Sequence, residues 1–157
     1  MANNKLFNLL LDWAVTFVKN KDIITKKIEK ITKNNDGFTV KKTDSKDTFI
    51  VVPFIHDFNQ IIQKLNKEDS FIIVVLNSKE NFDIIIRNWD KLIDFNLLTI
   101  VFANPFSRLE KKWMLKPYFH NIICDNTSLK KGLSSMFEMV EPVVKEEVNS
   151  QMRDYPN

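Results

Sequence analysis

The sequence predicts an α/β protein: a three-layer α/β/α sandwich around a mostly parallel sheet of about four to five strands, with a helical element at its amino terminus. Three observations carry this expectation. Apolar runs at 49–52, 71–76 and 97–102 each stop at a polar cluster, and strands buried on both faces read as such continuous runs. The intervals between the runs are long enough to hold a helix, which parallel neighbours need as a crossover. Helix-start signatures, Asp57 with Gln60, Asn77 with Ser78, and Ser107 with Glu110, stand where those crossovers begin. A fourth, weaker run at 121–124 follows the same rule.

Taken in order, Leu6, Leu10, Trp13 and Phe17 recur at helical spacing, with Phe7, Leu11, Ala14 and Val18 beside them, so the opening segment is a core-facing helix. Ile24, Ile28 and Ile31, set among lysines, read as a second helical pattern with a cationic outer face. Asn34-Asn35-Asp36-Gly37 stops it, because asparagine and glycine tolerate the left-handed backbone of caps and turns. Residues 38–40 alternate as a short strand and predict a hairpin with 48–52, which Pro53 closes.

Asp57 then caps a helix burying Phe58, Ile61, Ile62 and Leu65, and Ser78 caps one burying Phe82, Ile85, Ile86, Trp89 and Ile93. Ser107 opens a helix with Leu109, Trp113 and Met114 that must end before Pro117. The last helix starts near Thr127 or Ser128, buries Leu129, Leu133, Met136, Phe137 and Val140, and ends by Pro142. No linker divides the chain. Residues 1–141 read as one domain, with a helical element at 1–35 and an α/β core at 36–141, and 142–157 as a polar tail that is a candidate for disorder.

Composition narrows the chemistry. At 157 residues, 44% hydrophobic and 27% charged, the chain has the makings of one core. Gly37 and Gly132 are its two glycines, and neither follows a predicted strand, so the glycine-rich loops that cradle nucleotide phosphates are missing. The single Cys124 rules out an intramolecular disulfide framework and reads as a small core residue of a reducing compartment. No run approaches the roughly 18 apolar residues of a membrane span, and no signal-peptide pattern opens the chain, so it is expected to be soluble and cytoplasmic. Neither a Gly-x-Ser-x-Gly elbow nor a His-x-x-x-His spacing is present, and no metal or cofactor is expected.

The net charge of +3 is unevenly spread. Residues 1–50 hold ten lysines against six acids, and 108–133 hold six bases against two acids; the stretches 51–107 and 134–157 are net acidic. Two such basic stretches meeting on one face attract nucleic acid. Residues 104–120 are the densest mix of aromatic and basic side chains, the combination with which single-strand binders stack bases and neutralise phosphates.

In open parallel sheets, ligands bind at the carboxyl edge of the strands. The residues expected there are His56 and Asp57, Asn77 and Lys79, Asn104 with Ser107 and Arg108, and Asp125; Lys112 and His120 join them from the aromatic and basic segment. His56 beside Asp57 has the makings of an oriented imidazole, but no nucleophile accompanies it.

The order of a long helix, a hairpin and an apolar strand ending in Asn77-Ser78-Lys79 resembles the PD-(D/E)xK nucleases. In that family a hairpin acid and a strand glutamate hold a divalent metal, and a lysine two residues on steadies the attacking water. The resemblance implies Asp44 or Asp47 as the first acid and Lys79 as the lysine. Asn77 stands where the second carboxylate belongs, so what is implied is a degenerate, non-cleaving relative.

Taken together, the residues favour a non-enzymatic interaction or regulatory module that binds a protein partner of unknown identity through the carboxyl edge. The alternative is a nucleic-acid-binding or degenerate nuclease-like protein, and a small-molecule enzyme comes third. Oligomeric state is not legible.

Overall fold

Six strands, hydrogen-bonded in their chain order, form one sheet in the computed structural model, which describes residues 2–155, the side chains of 2, 3 and 126 excepted. Helix α1 (Ala2–Lys21) precedes an antiparallel meander of β1 (Ile28–Asn34), β2 (Gly37–Lys42) and β3 (Lys46–Val51). Helix α2 (Phe58–Ile62) leads to β4 (Ser70–Leu76), and α3 (Lys79–Arg87) with α4 (Trp89–Leu92) leads to β5 (Leu98–Ala103); β3, β4 and β5 run parallel. Strand β6 (Lys112–Leu115) turns back antiparallel on β5. Helices α5 (Pro117–Ile123) and α6 (Asn126–Met139), a 3-10 turn (Lys145–Glu147) and α7 (Val148–Asp154) complete the chain.

The expectation of a mostly parallel sheet of four to five strands is therefore corrected: the sheet has six strands, parallel only in its middle and antiparallel towards both edges. Three local features account for it. Residues 28–34 form an edge strand where a second helix was expected. A register irregularity between Ile28 and Lys30 inserts one extra residue, which puts Ile28 and Ile31 against the same apolar cluster; a bulge thus reproduces the three-residue spacing of a helix.

Residues 112–115 form a strand where the helix from Ser107 was expected. Trp113 and Leu115 enter one apolar cluster and Met114 the other, a period of two rather than 3.6. Pro117 consequently opens a helix, where its missing N–H costs nothing, instead of closing one. The run at 121–124 is the end of that helix, with Ile122 and Ile123 exposed, so the fourth parallel strand does not exist and Cys124 is the helix's half-buried C-cap.

The caps at Asp57 and Ser78 stand where the sequence places them, while the last long helix begins slightly earlier than Thr127 or Ser128, at Asn126 with Asp125 as its N-cap; all three side chains accept backbone N–H groups of the first helical turn. The Asn34–Gly37 turn joins β1 to β2, and Gly37 is required there: a Cβ at this position would lie 2.0 Å from the Phe49 carbonyl oxygen.

Side-chain alternation along β4 sends Phe71, Ile73 and Val75 into one cluster and Ile72, Val74 and Leu76 into the other. Phe58, Ile61, Phe82, Ile85 and Leu92, from α2, α3 and α4, join the first cluster; Leu6, Leu10, Leu11 and Ala14 of α1, with Val148 and Met152 of the carboxyl-terminal stretch, join the second. The two crossovers that link the parallel strands therefore pack on the same face. A doubly wound sheet opens a crevice where successive crossovers go to opposite faces, and here the strand order has no such reversal.

Candidate functional site

The polar residues delivered to the carboxyl edge bond to the chain itself. Asn77 is fully buried: its Nδ2 donates to the carbonyl oxygens of Val140 (3.0 Å) and Phe137 (3.3 Å), and its Oδ1 accepts the Trp113 indole N–H at 2.8 Å. Its backbone donates to Ala103 and accepts from Val143. Asn104 donates to the Glu141 carbonyl oxygen at 2.7 Å and accepts from Phe106 N–H. Asn81, also fully buried, donates to Pro53 and Leu76 and accepts from Ile55 N–H. Asn77 and Asn104 lash residues 137–143 across the ends of β4 and β5, and Asn81 holds the loop after β3 to the end of β4; a buried amide with its donors and acceptors satisfied rigidifies the fold.

The other expected residues are dispersed. Ser107 is buried and accepts Leu109 N–H, Arg108 is exposed, and Lys79 pairs with Asp83. His56 is exposed in the loop after β3, beside Phe54 and Asn34, while His120 lies on α5 with its Nδ1 3.1 Å from Lys116 N, so the imidazoles share no cavity. Asp125 accepts from Ser128 N–H, Ser128 Oγ and Thr127 Oγ1, and these bonds, the Ser128 backbone N–H first, hold its carboxyl below the ordinary value.

The ligand set implied by the nuclease resemblance does not assemble. Asp47 pairs in register with Ser70 at the start of β4, Asp44 lies in the preceding turn, and Asn77 follows the end of β4, about 23 Å further along at ~3.3 Å per residue. Asp47 is instead ion-paired with Lys42 at 2.9 Å. Among the described residues no group of three or more His, Cys, Asp or Glu is placed to hold a metal ion.

The side chains that do converge lie on the face of α1 turned towards the β6 side of the sheet. Lys5, Leu9, Trp13, Phe17 and Lys21 recur every four residues, one stripe of a helix. The upper part of the stripe walls a cavity of about 740 Å³ whose other side is built by Leu109, Lys111, Lys112, Met152 and Tyr155. Trp13 and Phe17 are half-buried and their rings are parallel, with centroids 5.6 Å apart. The Lys112 ammonium sits 5.1 Å from the Phe17 ring centroid, and Phe106 meets Tyr155 edge to face.

Phe17 and Lys21 continue into a second cavity of about 390 Å³ at the amino ends of β4 and β5. Its floor is the stretch of sheet that α1 leaves uncovered, including Ile72, Thr99 and Met114, and Lys21, Lys27, Lys42 and Lys116 stand around it.

Charge on this face is predominantly positive. Lys5, Lys21, Lys27, Lys111, Lys112 and Lys116 have no carboxylate partner among the described residues. The acids lining the two cavities are Asp12, paired with Lys33, Asp47, paired with Lys42, Glu110 and Asp22. Burial raises the Asp22 pKa, but the N–H groups of Ile28 and Lys27, the Thr25 hydroxyl and the Lys42 charge together outweigh it and leave the carboxyl below its ordinary value.

Of the residues expected at the carboxyl edge or in the aromatic and basic segment, only Lys112 is in this cluster; Asp47, the acid implied by the nuclease resemblance, lines the smaller cavity but is paired with Lys42. Trp13 and Phe17 carry a helical-stripe signal that reads as core, and only the arrival of 109–112 and α7 opposite them turns the stripe into a cavity wall. Trp113, the tryptophan of the aromatic and basic segment, is buried on the opposite face of the sheet. The chain was compared with protein-family models, with characterised proteins and with solved structures, and matches none of them. No helix among the described residues is long and apolar enough to cross a membrane.

Proposed function

We propose that this protein binds nucleic acid along the outer stripe of α1. One observation carries the reading: basic residues from two stretches far apart in sequence line the same cavities. Lys5 meets Lys111 and Lys112 in the larger one, Lys21, Lys27 and Lys42 meet Lys116 in the smaller, and Phe17 lines both. Gathering like charges at a surface destabilises the free protein, and a polyanion relieves that repulsion while releasing its own condensed counterions. Aromatic rings among the cations supply contacts that a plain solvated lysine surface lacks.

The carboxyl edge is the weaker place for a ligand, because its amides are satisfied by residues 137–143. A three-layer arrangement, with α1 and α7 over one face and α2, α3, α4 and α6 over the other, fits the two apolar clusters and leaves the α1 face as the side with open cavities. A cytoplasmic setting suits both the proposed ligand and a reduced Cys124.

A second reading, a protein-interaction module, draws support from α5. Phe119, Ile122 and Ile123 are more than half exposed there, beside the segment expected to make contacts. The two readings separate in one experiment, fluorescence anisotropy of labelled single- and double-stranded DNA and RNA across a salt series. Nucleic-acid binding predicts saturable association that weakens steeply with salt and is lost when Lys21, Lys111, Lys112 and Lys116 are changed together to glutamate. No association at the lowest salt, or association indifferent to that variant, overturns it.

A further inference from the structure

We propose that the ligand of this face is single-stranded, with a base seated in the cavity between Trp13 and Tyr155; this rests on the nucleic-acid reading above and adds to it the form of the ligand. The lysines alone would serve a duplex as well. What distinguishes the two is the make-up of the wall: Lys5 and Lys111 are exposed at the rim, while the Trp13 and Phe17 rings are half-buried, as is Lys112, whose ammonium lies against the Phe17 ring. A duplex presents phosphates outward and keeps its base faces stacked inside, so it meets the rim and leaves the rings unused. A single strand whose bases are free to turn sets its phosphates on the rim and a base face against the rings.

The rings are arranged for that contact. Trp13 and Phe17 already lie parallel, within 2° of one another, so a base laid on them extends an existing stack, and Lys112 over Phe17 adds a cation to the same ring system. Tyr155 is braced by its edge-to-face contact with Phe106, which leaves the opposite wall ordered before ligand arrives. Thr16 and Asn20, on the same side of α1, place a hydroxyl and an amide within the cavity lining, where base edges find donors and acceptors. From Lys5 to Lys21 the stripe spans about 24 Å at ~1.5 Å rise per residue. That length accommodates several nucleotides, the lower range of what single-strand-binding domains engage.

The test uses the full chain with an oligothymidylate, an oligouridylate and a DNA duplex of equal length at one low salt concentration, read by anisotropy and by tryptophan emission. The expected result is affinity for at least one single strand about ten-fold or more above that for the duplex, with emission quenched by the single strand only. Trp13→Ala lowers single-strand affinity about ten-fold and leaves the salt slope unchanged, because stacking carries no counterion term. Trp13→Phe, which keeps an aromatic ring and the helix packing, retains most of the affinity but loses most of the quenching, since Trp89 and Trp113 lie outside the cavity. Equal affinity for duplex and single strands, or quenching that survives Trp13→Phe, overturns the single-strand assignment and leaves polyanion binding standing. Failure of every probe to bind overturns both.

Discussion

Trp113 donates its indole N–H to the side-chain oxygen of Asn77 at 2.8 Å, with both residues buried. The bond joins β6 to the end of β4 across the intervening β5, and through the Asn77 amide it reaches the carbonyl oxygens of Phe137 and Val140 at the end of α6. One side chain thus ties an edge strand, a central strand and the last long helix together.

Asn77→Ala leaves the Trp113 N–H and the Val140 carbonyl without partners, and the expected loss of stability is about 2–4 kcal/mol, measured by chemical denaturation. Asn77→Asp also destabilises, because a carboxylate cannot donate to the two carbonyl oxygens it would face. The substitution that restores the nuclease pattern in sequence therefore yields a weaker fold, and Mg²⁺ is expected to leave its unfolding midpoint unmoved. A midpoint that rises with Mg²⁺ would show a metal site where the geometry offers none.

The two glycines make opposite predictions. Gly37→Ala forces a methyl to within 2.0 Å of the Phe49 carbonyl oxygen and is expected to cost about 3 kcal/mol or more. Gly132→Ala meets nothing within 4 Å, sits inside α6, and is expected to stabilise by about 0.5–1 kcal/mol. Thermal unfolding of the pair should move the midpoint in opposite directions from the parent.

Asp22 and Asp125 both titrate below their ordinary carboxylate value in the folded protein. A depressed folded-state pKa contributes stability that is fully present above the unfolded value near 4 and is lost as pH falls through the folded one. Unfolding free energy measured from pH 6 downwards should therefore begin to decline at about pH 4, and Asp125→Asn, which keeps one cap oxygen but removes the charge, should flatten part of that decline. An unchanged acid limb in the double variant Asp22→Asn with Asp125→Asn would show that other carboxylates set it.

On the groove, Lys112→Gln and Lys116→Gln are each expected to reduce the magnitude of the salt slope of nucleic-acid binding by about 1, as loss of one phosphate contact does. Lys79→Gln, whose ammonium pairs with Asp83, should leave the slope unchanged. Equal effects at all three positions would mean that the lysines act through net charge alone, with no path along α1.

The central strands, the caps at Asp57 and Ser78 and the turn at Gly37 were legible because each rests on a local cause: a buried run, an N-cap oxygen, a backbone position with no room for a side chain. Residues 28–31 were misread because a bulge gives a strand the spacing of a helix, and 112–115 because a tryptophan three or four residues from another apolar side chain fits either period until a partner strand appears. The candidate site was the least legible part. Trp13 and Phe17 sit in an apolar stripe indistinguishable from core, and their being half-buried depends on how much of α1 the sheet and α7 cover.

The sequence by itself determined which segments are strands buried on both faces, where most helices begin, and that basic charge is concentrated in two separate stretches, since propensity, capping and charge are properties of neighbouring residues. Only the tertiary structure decided that both crossovers pack on one face, so that no crevice opens at the carboxyl edge, and that Lys5 and Lys21 share cavities with Lys112 and Lys116. Those outcomes turn on which strands pair and in which direction, and pairing depends on hydrogen bonds between residues far apart in the chain, which no short window of sequence contains.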